Sequence, residues 1–106
     1  MRTADLDRLE RFYVDVVGLA PLRRDGPRAS VWVDAAGTIV MLERAEPDEP
    51  GPPPGTRDLV AFAIDDKELW RARLEGAGVA IEAETQNTLY FRDPDGRRVA
   101  VSNYGN

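Results

Sequence analysis

Few side chains in this sequence are able to do acid–base or metal chemistry. The 106 residues include no histidine and no cysteine, which excludes the commonest general base near neutral pH, thiolate metal ligands and cysteine nucleophiles. The remaining candidates are Glu43, Tyr90 and Arg92, which lie in β-rich runs. A carboxylate, a phenol and a guanidinium are able to act as acid, base or oxyanion partner. Their spacing forms no catalytic constellation, so the residues alone favour binding over catalysis.

The composition narrows the class of protein further. With 42% hydrophobic residues the chain is long enough for one compact domain and too short for two independent cores. The net charge of −5 disfavours a nucleic-acid backbone as partner. No apolar stretch approaches the ~20 residues of a membrane span, and the start lacks a signal-peptide core. We expect a soluble cytoplasmic protein with neither nucleic acid nor membrane as partner.

The chain repeats one pattern twice, and this repeat predicts the elements that position the candidate residues. A helix-like segment, a glycine and two β-rich runs recur with a period of about 60 residues, as in a duplicated domain. A stretch with five prolines separates the copies. We therefore predict a single domain, 1–106, made of module one (1–45), a linker (46–57) and module two (58–106).

Periodicity predicts the order β-α-β-β-β in each module. In module one we expect a helix over Asp5–Val17, and before it only Met1–Ala4 is available for the first strand. Further strands are expected at 21–24, 30–34 and 38–43, the last two joined by a turn at 34–37. In module two we expect a helix beginning at Asp66, ended by Gly78 and buried through Leu69, Trp70, Leu74 and Ala77, with strands at 59–64, 79–84, 88–92 and 97–104.

Four motifs in this order resemble the vicinal oxygen chelate superfamily, which includes glyoxalase I, bleomycin-resistance proteins, fosfomycin-resistance enzymes and extradiol dioxygenases. They are Asp5–Leu19, Val60–Asp66, Arg71–Glu75 and Tyr90–Gly96. The resemblance covers nearly the whole chain. It implies an α+β fold of paired βαβββ modules that form a half-open curved sheet with helices outside, here with a truncated first strand. It also implies a homodimer.

Enzymes of this superfamily hold a divalent metal at the start of the first strand and in the last strand of each module. On that resemblance the positions of module two fall on Leu59 and Ala100, neither of which is able to bind metal. The internal repeat places Met41 opposite Ala100, and a thioether is a poor ligand for hard or borderline ions. The fourth position precedes Met1. We therefore expect no metal and no cofactor.

Strand alternation predicts which residues line the concave face. It assigns to the helix-facing layer Trp32, Val60, Phe62, Ile64, Phe91, Val99 and Val101. It leaves for the concave face Val31, Val33, Met41, Leu59, Ala61, Tyr90, Arg92, Ala100 and Ser102, and Glu43 joins them two residues beyond Met41. This mostly apolar surface with a few polar groups suits an aromatic or amphipathic small molecule.

Structural roles compete with these assignments. Glu43 is most simply a rim carboxylate. Arg92 is able to pair with an anionic ligand or simply with Asp93 or Glu43. Asp93–Gly96 is interpreted as a tight turn rather than a calcium loop. The leading hypothesis is a metal-free small-molecule-binding protein of the glyoxalase/bleomycin-resistance type. The alternatives are a metal-independent isomerase, cyclase or lyase that uses Glu43, Tyr90 or Arg92, and a metal-dependent glyoxalase-like enzyme. Because a truncated first strand leaves a neighbour's backbone unpaired, we also expect a homodimer.

Overall fold

A computed structural model describes residues 1–25, 30–35, 38–51 and 59–103 of the chain. It divides into two compact units, Met1–Pro53 and Pro54–Asn106. The division falls within the linker predicted from the proline-rich composition. Each unit contains one strand, one helical segment and three further strands, which confirms the predicted βαβββ order.

Unit 1 contains a four-stranded mixed sheet in the order β1-β4-β3-β2. Its elements are β1 (Arg2–Thr3), α1 (Leu6–Arg11), β2 (Ala20–Asp25), β3 (Ser30–Ala35) and β4 (Thr38–Arg44). Strand β1 is parallel to β4, whereas β2, β3 and β4 are antiparallel neighbours. The first strand is two residues long, as expected from the short segment before the helix. Of the predicted turn at 34–37, Ala36 and Gly37 lie outside the described residues.

Unit 2 repeats this topology with the sheet order β5-β8-β7-β6. Its elements are β5 (Leu59–Ala63), α2 (Lys67–Gly76), β6 (Ala83–Glu84), β7 (Thr88–Arg92) and β8 (Arg98–Ser102). Strand β6 is shorter than the predicted 79–84. The backbone N–H of Val79 donates to the carbonyl of Leu74 at 2.9 Å and so completes the end of α2, which keeps this residue out of the sheet. Tyr104, predicted to end the last strand, lies outside the described residues.

Both helices begin at an aspartate that caps the free backbone donors of the first turn. The Asp5 carboxylate accepts from the N–H of Arg8 at 3.1 Å, and the Asp66 carboxylate accepts from Glu68 and Leu69 at 3.0 and 3.2 Å. Helix α1 continues as a π-helical turn, Phe12–Val16. The predicted helix Asp5–Val17 is thus right in extent, and its last turn is wound more widely than an α-helix.

The buried side of α2 differs from the prediction. Leu74 is fully buried, but Leu69 is 53% exposed and Ala77 is also exposed. Leu69 precedes Leu74 by five residues, which turns it about 140° away from Leu74 around the helix. The predicted buried stripe is therefore wrong at Leu69 and Ala77 and right at Leu74.

The two faces of the first sheet are the reverse of those predicted at β3. Val31 lies opposite Leu42 in the β3–β4 ladder, and all three of Val31, Val33 and Leu42 are buried. Trp32, predicted to face the helix, lies opposite Met41 on the other face and is half-buried. Alternation separates two faces without identifying which one the helix covers. Val31 and Val33 are therefore core residues rather than part of a ligand face.

In unit 2 the buried face matches the prediction closely. Phe62, Phe91, Val99 and Val101 are buried, together with Leu89. Val60 shares their face but is 42% exposed, since β5 lies at the edge of the sheet. The opposite face of the second sheet therefore remains as a surface for the predicted site residues.

Candidate functional site

Six of the predicted site residues share one face of the second sheet, here called open face 2. The ladder register aligns Ala61 with Ala100 and Ala100 with Tyr90, while Leu59 and Arg92 each lie opposite Arg98. Cross-strand partners project to the same side of a sheet. The residues of open face 2 are Leu59, Ala61, Ala63, Thr88, Tyr90, Arg92, Arg98, Ala100 and Ser102.

The middle and the β5 edge of open face 2 are apolar. Leu59 is 39% exposed, and Ala61 and Ala63 are exposed as well. Ala100 is fully buried between its ladder partners Ala61 and Tyr90. The small, exposed side chains of Ala61 and Ala63 leave room for a flat apolar group over β5. This part of the face is suited to apolar contact rather than to acid–base chemistry.

The polar groups of open face 2 lie around this apolar area. At one end, the hydroxyl oxygens of Thr88 and Ser102 are 2.8 Å apart and hydrogen-bonded. At the other end, the Arg98 guanidinium lies over the Tyr90 ring, 4.4 Å from its centroid. Sequence reasoning missed both Thr88 and Arg98. Alternation along β8 would have found Arg98, because it has the same parity as Ala100 and Ser102.

Arg92 is held by partners that differ from those predicted. Its Nε lies 2.9 Å from the Glu82 carboxylate, and one terminal nitrogen donates to the carbonyl of Gly96 at 3.2 Å. Within unit 2 its ion-pair partner is thus Glu82 and not Asp93, the alternative considered from the sequence. Glu82 was not identifiable because its contact with Arg92 depends on how the segment before β6 meets β7. Arg92 is consequently neutralised within unit 2.

The segment Asp93–Gly96 is a tight turn, as predicted. The Gly96 N–H donates to the Asp93 carbonyl at 2.9 Å, and Gly96 has a φ of 84°. The buried Asp93 carboxylate accepts from the backbone of Asp95 and Arg97 and from the Arg97 side chain. Burial lowers the pKa of Arg97, but its interactions with Asp93 and Asp95 outweigh this and raise it overall. These carboxylates are occupied by protein donors and stabilise the turn.

In unit 1 the corresponding surface, open face 1, includes Ser30, Trp32, Met41 and Glu43. Met41 lies opposite Trp32, and Glu43 lies opposite Ser30 and Arg2. The predicted proximity of Met41 and Glu43 on one face is confirmed. The face combines a half-buried indole and a thioether with one carboxylate.

Glu43 has a cation partner. Arg2 lies 3.1 Å from Glu43 through one terminal nitrogen and donates through Nε to both oxygens of Glu49 at 2.9 and 2.7 Å. The hydrogen bond from Arg2 holds the pKa of the Glu49 carboxyl below its usual value. The same hydrogen bond, together with the nearby charge of Glu43, raises the pKa of Arg2. Arg2 therefore connects β1, β4 and the segment that follows β4.

The residues at the family's metal positions do not fit a divalent ion. The helix caps Asp5 and Asp66 are equivalent positions in the two units. Three residues before each cap, Arg2 pairs with Glu43 and Ala63 pairs with Ser102. Two residues earlier on these partner strands, Met41 is therefore equivalent to Ala100. The last strands thus present a thioether and a methyl group, and β5 presents the isobutyl group of Leu59. Within residues 1–25, 30–35, 38–51 and 59–103, no group of three or more acidic side chains is arranged to hold a metal.

Among the described residues, no helix is long and apolar enough to cross a bilayer.

Comparison with known proteins gives matches along most of the chain. The family model described as Glyoxalase/Bleomycin resistance protein/Dioxygenase superfamily matches residues 1–101. Catechol-2,3-dioxygenase of Bacillus subtilis (strain 168) is 31% identical over 104 residues, which cover 91% of this chain and 36% of that protein. The chain therefore spans little more than a third of the length of this relative.

Several solved structures are similar. Lactoylglutathione lyase from Agrobacterium tumefaciens is 28% identical, with a TM-score of 0.72 over 96% of this chain and 87% of that one. The trypanothione-dependent glyoxalase I of Leishmania major is 23% identical, with a TM-score of 0.79 over 97% and 81%. The fosfomycin resistance protein FosX of Listeria monocytogenes is 15% identical, with a TM-score of 0.79 over 97% and 85%. The last two similarities establish the fold alone.

Proposed function

The chain belongs to the Glyoxalase/Bleomycin resistance protein/Dioxygenase superfamily, and within it we propose that this protein binds a small aromatic or amphipathic molecule without using a metal. The family resemblance expected from the motifs is confirmed. The metal-free binding role is a proposal that rests on the chemistry of the residues at the family's metal positions.

The observation that carries the proposal is that apolar side chains occupy three of the positions where enzymes of the family have metal ligands. Leu59 and Ala100 share open face 2, and Met41 takes the place of Ala100 in the first sheet. Methyl and isobutyl groups donate no electron pair, and a thioether binds hard ions poorly. The same groups favour apolar contact, at about 25 cal/mol per Å² of apolar surface buried.

Open face 2 also has the mixture of groups that small-molecule sites use. Exposed Leu59 and Ala61 offer apolar contact, and Tyr90 offers a ring edge and a hydroxyl. Ligand sites are mostly apolar, with a few polar groups that orient the ligand. The exposure of Leu59, at 39%, leaves apolar area that a ligand would cover.

Binding is tested with phenylnaphthylamine, a neutral aromatic probe whose emission rises in apolar surroundings. Ala61→Lys introduces a charge on open face 2 and should weaken binding at least about tenfold, or ~1.4 kcal/mol. Ala72→Lys is the matched control, because Ala72 is an exposed alanine on α2. Equal weakening by both variants, or no binding to the unmodified protein, would overturn the proposal.

Elemental analysis of the same protein, purified without chelator, tests whether a metal is bound. We expect nickel, zinc, iron and manganese each far below one equivalent. Stoichiometric metal that is lost in Glu43→Gln would contradict the metal-free proposal and support a glyoxalase- or dioxygenase-type enzyme.

An enzymatic role is the second candidate, because lactoylglutathione lyase from Agrobacterium tumefaciens is 28% identical over most of both chains. The candidate groups for it are Glu43, Tyr90 and Arg92. Two of them already have ion-pair partners, since Glu43 pairs with Arg2 and Arg92 pairs with Glu82. Turnover of lactoylglutathione, measured with and without added Zn²⁺ or Ni²⁺, tests this role. Turnover that Glu43→Gln abolishes would favour the enzyme over the binding protein.

We also propose that the protein is a cytoplasmic homodimer whose two modules form a single domain. The support for a dimer is the superfamily to which the chain belongs, because its proteins are commonly dimers. Light scattering after gel filtration should give twice the chain mass at micromolar concentration, and a uniform monomer would contradict the dimer.

A further inference from the structure

Arg98 lies on open face 2, and among the described residues its guanidinium interacts with an aromatic ring rather than with a carboxylate. It lies over Tyr90 at 4.4 Å and forms no ion pair among the described residues. The neighbouring arginines differ from it. Arg92 pairs with Glu82, and Arg97 pairs with both Asp93 and Asp95. Among the described residues of this part of the sheet, Arg98 is therefore the arginine whose charge has no carboxylate partner.

The surrounding sheet explains why Arg98 stacks on Tyr90. Arg98 and Arg92 lie directly opposite each other in the β7–β8 ladder, and like charges in that arrangement repel. Arg92 is drawn to Glu82 and to the carbonyl of Gly96. Arg98 instead lies over the ring of Tyr90, which is diagonal to it in the same ladder. Stacking on a ring restricts the guanidinium while its N–H donors remain available.

Apolar surface lies next to this cation. Leu59 is the ladder partner of Arg98 on the β5 side and is 39% exposed. Ala61 and Ala63, which are both exposed, continue the apolar area along β5. A ligand that covers this area with an aromatic body would carry its polar end beside Arg98.

We propose that Arg98, held by Tyr90, is the anion-recognition group of open face 2, and that the ligand class is an aromatic or amphipathic molecule with one carboxylate, sulfonate or phosphate group. This inference rests on the proposed binding function and specifies its ligand class. An anion forms charge-assisted hydrogen bonds with the planar guanidinium fork. In a chain of net charge −5, an anionic ligand needs such a local cation to overcome general repulsion.

The test compares two probes that share an aromatic skeleton and differ in charge, anilinonaphthalene sulfonate and neutral phenylnaphthylamine. Arg98→Gln should weaken the sulfonate probe about tenfold to a hundredfold, the range expected for a hydrogen bond to a charged group. It should change binding of the neutral probe less than about twofold. Added salt should weaken binding of the sulfonate probe to the unmodified protein. It should not weaken binding to Arg98→Gln, where the interaction left for salt to screen is the general repulsion.

Arg73→Gln is the matched control. Arg73 also stacks on an aromatic ring, that of Trp70 at 5.1 Å, but lies on α2. Its loss changes the net charge by the same amount and should leave both probes unaffected. Arg98→Lys retains the charge without the planar fork and should bind the sulfonate probe with intermediate affinity, and circular dichroism checks that each variant is folded.

The outcomes separate the two proposals. If Arg98→Gln and Arg73→Gln weaken the sulfonate probe equally, or if neither does, the anion role of Arg98 is wrong while binding of the neutral probe still supports the proposed function. If neither probe binds the unmodified protein, the proposed function fails and this inference fails with it.

Discussion

Arg2 lies directly opposite Glu43 in the parallel β1–β4 ladder, and one of its terminal nitrogens is 3.1 Å from the Glu43 carboxylate. The carboxylate that sequence reasoning singled out on open face 1 therefore already has a counter-ion. A role for Glu43 as base or metal ligand would have to compete with this pair. The pairing favours the simpler interpretation of Glu43 as a structural carboxylate.

Glu43→Gln should consequently have a small effect. Both side chains of the pair are more than a third exposed, and such ion pairs contribute little to stability because water screens them. Urea denaturation should show little change, with binding of phenylnaphthylamine unchanged. A large loss of binding would show that Glu43 contacts the ligand.

Acid should weaken unit 2 through Glu84. Hydrogen bonds from Lys67 and Arg71 lower the pKa of the Glu84 carboxyl below its ordinary 4.5. Because the folded-state pKa is depressed, the stabilisation is present above pH 4.5 and is lost as the pH falls through the folded pKa. Glu84→Gln should therefore lower the urea midpoint near neutral pH and reduce its fall in acid, whereas Asp65→Asn should follow the unmodified protein. Identical acid profiles for Glu84→Gln and the unmodified protein would contradict this.

Two glycines near the end of α2 should respond to alanine in opposite directions. Gly76 is in the helix and Gly78 has a φ of 78°, and an added Cβ meets no atom within 4 Å at either position. Gly76→Ala should raise the free energy of unfolding by roughly 0.5–1 kcal/mol, since alanine favours the helix. Gly78→Ala should lower the free energy of unfolding by about 1–2 kcal/mol, because alanine, unlike glycine, is strained in the left-handed backbone conformation of this position. Thermal unfolding measures both, and the same sign for both would contradict the assigned end of α2.

The orientation of α2 is testable with two leucines. Leu74 is fully buried and Leu69 is 53% exposed. Leu74→Ala should cost about 2–5 kcal/mol through lost burial and the cavity left behind, whereas Leu69→Ala should stay within about 0.5 kcal/mol, as is usual for surface positions. Urea denaturation of both variants checks this, and a larger loss in Leu69→Ala would mean that the helix presents its other side to the sheet.

The sequence by itself determined the order of elements and the alternation of side chains along each strand. The helix caps Asp5 and Asp66, the stop at Gly78 and the strand Thr88–Arg92 follow from local rules that act over a few residues. Alternation likewise placed Tyr90 and Ala100 on one face, because side chains on a strand repeat every second residue.

Only the tertiary structure decided which face of a strand is buried and which charges pair. Val31 and Val33 are buried while Trp32 lies with Met41 on the other face, since alternation is symmetric and the packed helix alone breaks that symmetry. Likewise Arg2 reaches Glu49 across 47 positions of sequence. Such contacts depend on distances between elements that are far apart along the chain, and local sequence rules do not contain those distances.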